Sequence, residues 1–145
     1  MQRIRFLTVL SPWKDVHMKK ILIVDDEEDV RAAIVCLLED ANYQILEADS
    51  GTSALDIAIS EKPDLVITDV MMDSGNGFAL RELLRADSRT ESIKVIMMTG
   101  GAQGAGAWQS DPNDRYLLKP FNGETILNMI RLTLGEGSPE VVTRH

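Results

Sequence analysis

The clearest local pattern in the chain is the apolar run Ile21-Leu22-Ile23-Val24, which ends in Asp25-Asp26. A short continuous apolar run that stops at polar residues is typical of a strand buried on both faces of a parallel sheet. The pattern recurs at Leu65-Val66-Ile67-Thr68, which ends in Asp69, and at Val95-Ile96-Met97-Met98, which ends in Thr99. The sequence therefore predicts several buried strands, each with a polar residue at its end.

Helical patterns alternate with these strands. The remaining strands are predicted at Gln44–Ala48 and Tyr116–Leu118. The helices are predicted on the stripe Val30, Ile34, Leu37, Leu38, at Ser53–Glu61 before Pro63, around Leu80, Leu83 and Leu84, and from Asn122 to Gly135. Strand–helix alternation at this spacing indicates βαβ units and thus an α/β fold with a doubly wound parallel sheet covered on both faces. Ligands of such sheets bind beyond the carboxyl ends of the strands.

Composition limits the function classes. The chain has 145 residues, a net charge of −8 and one cysteine, Cys36. The length fits one domain, and the acidic charge argues against direct nucleic-acid binding. A lone cysteine excludes an intramolecular disulfide framework, and we interpret it as a small apolar helical residue. Because no apolar run approaches the roughly 20 residues of a membrane span, we expect a cytoplasmic protein without a membrane partner.

The chain divides into three parts. Residues 1–17 show neither helical nor strand periodicity and predict a leader that is disordered or non-native; a functional basic arm is the alternative. Residues 1–20 carry a net charge of +4, which leaves −12 for the remainder. The domain is predicted at 18–135, starting at Met18, and 136–145 form a C-terminal tail.

The strand ends bring chemistry to one edge of the predicted sheet. Asp25, Asp26 and Asp69 supply carboxylates, Thr99 a hydroxyl and Lys119 an ammonium group. Clustered carboxylates repel one another unless a cation lies among them, and all-oxygen ligands favour Mg²⁺. A carboxylate, Mg²⁺ and a lysine together suit phosphoryl transfer. Taken singly, each residue also has an ordinary structural explanation, such as acids at a helix N-terminus.

These strand-end motifs make the sequence resemble the receiver domain of two-component response regulators (CheY-like). The matching motifs are Ile21–Asp26, Asp64–Asp69, Met97–Gly100 and Leu118–Phe121. Their spacing fits as well, because 43 residues separate Asp26 from Asp69, 30 separate Asp69 from Thr99 and 20 separate Thr99 from Lys119. The resemblance covers about residues 18–135 and implies a flavodoxin-like (βα)5 sandwich with a five-stranded parallel sheet of order 2-1-3-4-5.

The resemblance also implies a phosphoacceptor and a metal. Asp69 would accept a phosphoryl group from a histidine kinase or a histidine phosphotransfer protein. Asp25 and Asp26, with Asp69 and the backbone carbonyl of Met71, would hold Mg²⁺. The phosphorylated form would then act on a downstream protein partner.

Three further residues receive roles from the resemblance. Lys119 would contact the phosphoryl oxygens, Thr99 would move to hydrogen-bond them, and Tyr116 would change rotamer together with Thr99. Tyr116 is alternatively a half-buried strand aromatic. The protein would then be a phosphoacceptor with at most slow self-catalysed phosphorylation and dephosphorylation, and not an enzyme.

The sequence departs from the family pattern in two loops. Asp73 stands where the family usually has proline, and glycines crowd the segment 100–112, which predicts a short, frayed or absent fourth helix. That segment is either an order–disorder switch or a tolerated loop variation. The positions that tune hydrolysis in the family are Met71 and Gly101 here; neither side chain orients water, which predicts a slowly decaying phosphoryl group.

Other functions fit the sequence less well. A degenerate receiver that acts through constitutive protein contacts would not need all of the strand-end residues. An aspartate-nucleophile phosphatase would need a second acid where Met71 stands, and a flavin site would need a phosphate loop in place of the acids after Val24. Because the tail is too short for an effector domain, we expect a stand-alone receiver, or else a receiver cut from a longer regulator or hybrid kinase.

Overall fold

The computed structural model describes residues 3–5, 18–72, 75–100 and 114–136. The strands are β1 (Arg3–Arg5), β2 (Lys20–Val24), β3 (Gln44–Ala48), β4 (Leu65–Asp69), β5 (Met71–Met72), β6 (Gly75–Asn76), β7 (Lys94–Thr99) and β8 (Asp114–Leu118). The α-helices are α1 (Glu28–Leu38), α2 (Gly51–Glu61), α3 (Gly77–Ala86) and α4 (Gly123–Leu134), and a 3-10 turn at Glu39–Ala41 follows α1.

The main sheet has the order β1-β3-β2-β4-β7-β8, and β5 and β6 form a separate short hairpin. Five strands of the main sheet pair in parallel, in the order β3-β2-β4-β7-β8. Counted along the chain from β2, these five strands have the order 2-1-3-4-5, which confirms the prediction. Strand β1 is added antiparallel to the outer edge of β3, with Arg3 opposite Glu47 and Arg5 opposite Ile45. Within the predicted leader 1–17, residues Arg3–Arg5 thus form an edge strand. A three-residue edge strand depends on backbone pairing and is too short for side-chain alternation to reveal it.

Two hydrophobic layers lie on opposite faces of the sheet. Alternate residues of each strand point to opposite faces, which is why one strand serves both layers. Helices α1 and α4 cover the face that includes Ile21, Ile23 and Ile67. Helices α2 and α3 cover the face that includes Leu22 and Val66. The predicted doubly wound α/β architecture is confirmed.

Local sequence signals set the helix ends. The side chains of Ser50, Asn76 and Asn122 accept hydrogen bonds from backbone N–H groups in the first turns of α2, α3 and α4. Helix α4 ends at Gly135, whose φ of 74° is the left-handed conformation that glycine adopts without strain. The predicted start at Asn122 and end at Gly135 are confirmed, whereas α2 begins earlier than Ser53 because Ser50 caps it.

Some predicted helix faces differ from the observed ones. Leu37 and Leu83 were expected on buried stripes, yet they are 39% and 49% exposed. Arg31 takes a buried position on α1 instead, and Cys36 lies exposed on the same helix. None of the described helices is long and apolar enough to cross a membrane. The glycine-rich segment from Gly101 onward lies outside the described residues, as does Asp73.

Candidate functional site

The carboxyl ends of the parallel strands place four of the predicted site residues at one edge of the sheet. Asp25 follows β2, Asp69 ends β4, Thr99 ends β7 and Lys119 follows β8. The Lys119 Nζ donates to Asp69 Oδ2 at 3.2 Å, and the Lys119 backbone N–H donates to the carbonyl of Thr99 at 2.8 Å. Lys119 and Asp69 are 50 positions apart, so the fold alone brings them together.

Asp25 is the most buried acid of this group, with no exposed surface. Its Oδ1 accepts from the backbone N–H of Glu27 at 2.9 Å, whereas its Oδ2 has no hydrogen-bond partner among the described residues. Burial raises the pKa of Asp25 to about 6; the Glu27 hydrogen bond opposes this rise, Asp69 adds to it, and Lys119 opposes it. A buried carboxylate oxygen without a donor is available to a cation, a proton or a water molecule.

Asp26 follows Asp25 in the chain, and Met71 contacts the carboxylate of Asp69. Asp26 is partly exposed and adds to the repulsion that raises the pKa of Asp25. Met71 is 76% exposed, and its backbone N–H reaches Asp69 Oδ1 at 3.4 Å. No three acidic, histidine or cysteine residues among those described form a closed metal cluster. An ion held here would need water among its ligands, which is how Mg²⁺ is commonly bound.

Thr99 and Tyr116 occupy adjacent strands. Thr99 is 8% exposed at the end of β7. Tyr116 lies on β8 opposite Met97, partly buried against the layer that α2 and α3 cover. The structure therefore brings Thr99 to the edge of the sheet that carries the acids. Tyr116 lies on the neighbouring strand, further from that edge.

Gly77 packs against the end of β4 that carries Asp69. A Cβ at this position would lie 2.6 Å from the Asp69 carbonyl oxygen and 3.1 Å from Thr68 Cγ2. The Gly77 N–H donates to the Val70 carbonyl at 3.0 Å. The first turn of α3 thus contacts the backbone of the strand end that carries Asp69, an approach that only glycine permits.

A buried ion pair behind Asp25 was missed by the sequence reasoning. Arg31 on α1 donates from Nε to Glu47 Oε1 on β3 at 3.2 Å, and from Nη1 to the Asp25 carbonyl at 2.5 Å. Arg31 is 9% and Glu47 is 2% exposed. An arginine in an amphipathic helix ordinarily marks the solvent face, so the pattern carried no signal for this pair.

A second buried cluster joins α3 to β8 and was also missed. Asp114 has no exposed side-chain surface and pairs with Arg81 and with Arg85, the latter at 2.7 Å. Arg85 also donates to the carbonyl of Ile93 at 2.8 Å. This cluster fixes the start of β8, the strand that leads to Tyr116 and Lys119.

A model of the family described as the response regulator receiver domain matches residues 21–131. The chain belongs to this family. It is a receiver domain of two-component signalling, so the predicted class is confirmed.

Similar proteins agree with this assignment. The receiver is 36% identical over 119 residues to protein PilH of Pseudomonas aeruginosa, covering 81% of this chain and 98% of PilH. It is 34% identical to the DNA-binding dual master transcriptional regulator RpaA of Synechocystis, covering 81% of this chain and 49% of RpaA, about half of that regulator. The chemotaxis response regulator CheY4 of Vibrio cholerae has a TM-score of 0.72 and 30% identity, over 80% of this chain and 98% of that one.

Proposed function

We propose that this receiver accepts a phosphoryl group on Asp69 from a histidine kinase or a histidine phosphotransfer protein. The observation that carries the proposal is the ion pair between Lys119 and Asp69, 3.2 Å across two strand ends and beside the buried Asp25. Asp69 keeps 10% of its side chain exposed and Lys119 keeps 36%, which leaves both accessible to a donor at the edge.

The transfer needs a nucleophile and charge neutralisation. An Asp69 carboxylate oxygen attacks phosphorus, a P–O bond forms, and the P–N bond to the donor imidazole breaks with its electron pair going to nitrogen, which solvent protonates. Lys119 lies where its ammonium group stabilises charge on the phosphoryl oxygens. The role proposed for this chain is that of a phosphoacceptor and not of an enzyme with a separate substrate.

Mg²⁺ is the cofactor that the acidic residues fit. The buried Asp25 Oδ2, which has no partner among the described residues, offers one ligand, and Asp26, Asp69 and the Met71 carbonyl are the other candidates. The formal charges of Asp25, Asp26, Asp69 and Lys119 sum to −2, which one Mg²⁺ would cancel. Bound there, Mg²⁺ would neutralise charge on the transferring phosphoryl group.

Thr99 and Tyr116 are the proposed switch residues. Thr99 lies at the same edge as Asp69, since β4 and β7 pair directly, with Asp69 opposite Met98. Tyr116 pairs one strand further out, opposite Met97, so a shift of Thr99 reaches its neighbourhood through β7. A change in this region would present a different surface to a downstream protein partner.

We also propose a slow loss of the phosphoryl group and a location for the protein. The exposed Met71 side chain has no group to orient an attacking water, which supports slow loss of the phosphoryl group. The cytoplasm is the proposed location because the ATP that charges a histidine kinase is found there.

The test is phosphorylation followed by intact mass. We expect the wild-type protein to gain one phosphoryl group from acetyl phosphate or phosphoramidate with Mg²⁺, and Asp69→Ala to gain none. Asp40→Asn, a change at an exposed acid after α1, is the matched control and should be phosphorylated normally. A folded wild-type protein that gains no mass from either donor would refute the proposal and favour a degenerate receiver.

A further inference from the structure

Asp25 is held at three of its polar groups, by contacts with β3, with helix α1 and with the N-cap residue of α1. Its N–H donates to the carbonyl of Ala48 at 3.2 Å, at the end of β3. Its carbonyl accepts from Arg31 Nη1 at 2.5 Å, and its Oδ1 accepts from the Glu27 N–H at 2.9 Å. Only Oδ2 lacks a partner among the described residues. The contacts therefore fix the orientation of the carboxylate and leave one oxygen for a ligand.

The ion pair between Arg31 and Glu47 is costly for stability alone. Burying two charges requires their removal from water, and a well-packed apolar pair of similar size is often as stable or more so. Glu47 lies on β3 opposite Ile23 of β2, so the pair spans β3, the end of β2 and α1. Its geometric effect is to tie the helix that follows the acids to the strand beside them.

We infer that Arg31 is a positioning residue for the Mg²⁺ ligand Asp25, and that Glu47 neutralises Arg31 so that its charge does not oppose the cation. The inference rests on the proposed function. Arg31 fixes the Asp25 carbonyl, which sets the turn from Asp25 to Glu27 and thereby the direction of the carboxylate. Glu47 holds the guanidinium through Nε, which leaves Nη1 directed at the Asp25 carbonyl.

The zero net charge of the Arg31–Glu47 pair makes the inference testable. The pair has a net charge of zero, so replacing both members by methionine leaves the long-range electrostatic potential at the acids nearly unchanged. A loss of Mg²⁺ affinity in Arg31→Met/Glu47→Met would then report lost positioning and not lost charge. Outer contacts of this kind typically change metal affinity by roughly 10–100-fold.

The matched control is the ion pair at the opposite end of β2. Lys20 Nζ lies 3.6 Å from Glu61 Oε1, and this pair is also neutral overall and joins β2 to a helix. Lys20→Met/Glu61→Met makes the same chemical change away from the acids. We expect Mg²⁺ affinity in this control to equal that of the wild-type protein.

The experiment measures three quantities on each full-length protein: the Mg²⁺ dissociation constant by calorimetry, the exchange rate of the Glu27 amide by NMR, and the melting temperature. For Arg31→Met/Glu47→Met we expect a dissociation constant raised roughly tenfold or more, faster exchange of the Glu27 amide, and a folded protein. Phosphorylation by acetyl phosphate should be slower at low Mg²⁺ and should recover at saturating Mg²⁺.

Two single variants test the positioning role of Arg31 separately from effects on folding and charge. If the methionine pair does not fold, Arg31→Lys keeps the charge but replaces the planar fork by a point charge, and it should still weaken Mg²⁺ binding. Glu47→Gln keeps an acceptor for Arg31 and leaves its charge unbalanced; it should weaken Mg²⁺ binding in a salt-dependent way while Glu27 exchange stays slow.

The outcomes separate the inference from the proposed function. Unchanged Mg²⁺ binding and unchanged Glu27 exchange in Arg31→Met/Glu47→Met and in Arg31→Lys would overturn the inference. A wild-type protein that takes up no phosphoryl group would refute the proposed function, whereas faster Glu27 exchange in the double variant would still support the positioning role of Arg31.

Discussion

Replacing Gly77 by alanine tests the contact between the first turn of α3 and the end of β4 that carries Asp69. The added Cβ would lie 2.6 Å from the Asp69 carbonyl oxygen, and ordinary contact begins at 3.4 Å. Either α3 or the end of β4 must therefore move by about 0.8 Å, and both are backbone. The Asp69 carbonyl oxygen is a backbone atom and cannot rotate away as a flexible side chain could. The clash therefore acts on the strand end that carries Asp69.

The magnitude follows from overpacking against a small gain in helix propensity. Forcing extra atoms into a packed site costs about 1–3 kcal/mol. Alanine gains at most about 1 kcal/mol over glycine in a helix, and less at its first residue. We therefore expect the free energy of unfolding of Gly77→Ala to fall by about 1–2 kcal/mol. A shift of this size at a reacting group can slow phosphorylation roughly tenfold or more.

The chain offers a closely matched control in Gly51→Ala. Gly51 is also the first residue of a helix behind a side-chain cap, and among the described residues a Cβ there would meet only Leu80 Cβ, at 3.9 Å. Urea unfolding should show Gly51→Ala as stable as the wild-type protein or slightly more so, with normal phosphorylation by acetyl phosphate. The difference between the two variants isolates the steric clash from the change in propensity.

Equal unfolding free energies for the two variants would show that a Cβ at position 77 does not clash with the end of β4. Lost stability with an unchanged phosphorylation rate would show that the strain is absorbed by α3 without moving Asp69. Either result would refute the reasoning about this glycine.

Three further changes have defined expectations. Folding raises the pKa of Asp25 from 3.8 to about 6. The folded protein therefore binds a proton at Asp25 more tightly than the unfolded chain does. As a result, the free energy of unfolding falls as the pH rises between those two values. Without Mg²⁺, Asp25→Asn should be more stable than the wild-type protein at pH 7, and the difference should vanish below about pH 4. Asp114→Asn leaves two arginines without their buried partner and should cost about 3 kcal/mol or more in urea unfolding. Tyr43→Phe removes a 2.8 Å hydrogen bond to Glu136 and should cost about 1 kcal/mol in the same assay.

Each of these expectations can fail clearly. An Asp25→Asn variant whose stability advantage is the same at pH 4 and pH 7 would contradict the argument from the raised pKa of the buried Asp25. Asp114→Asn can be compared with Asp87→Asn, because Asp87 pairs with Arg89 at the exposed surface and should matter little. Similar losses for the two would contradict the buried cluster. A Tyr43→Phe variant as stable as the wild-type protein would show that Glu136 does not anchor the end of the domain.

The sequence predicted the fold because its signals are local. Buried strands show as continuous apolar runs, and capping residues such as Asn122 and Gly135 mark helix ends through bonds to their own neighbours. The strand-end residues Asp25, Asp69 and Lys119 could be assigned to one edge because the carboxyl ends of parallel strands meet there. These inferences need only the order of residues along the chain and the geometry of a parallel sheet.

The tertiary structure decided what depends on contacts between distant residues. A helical pattern cannot distinguish a solvated arginine from Arg31, which is buried because Glu47 lies on the adjacent strand. The burial of Asp25, and with it the raised pKa, depends on the layers that cover β2. Strand β1 and the approach of Gly77 to Asp69 likewise depend on where backbones meet. Periodicity predicted the interior residues with the exceptions of Leu37 and Leu83, and packing determined which charged groups share that interior.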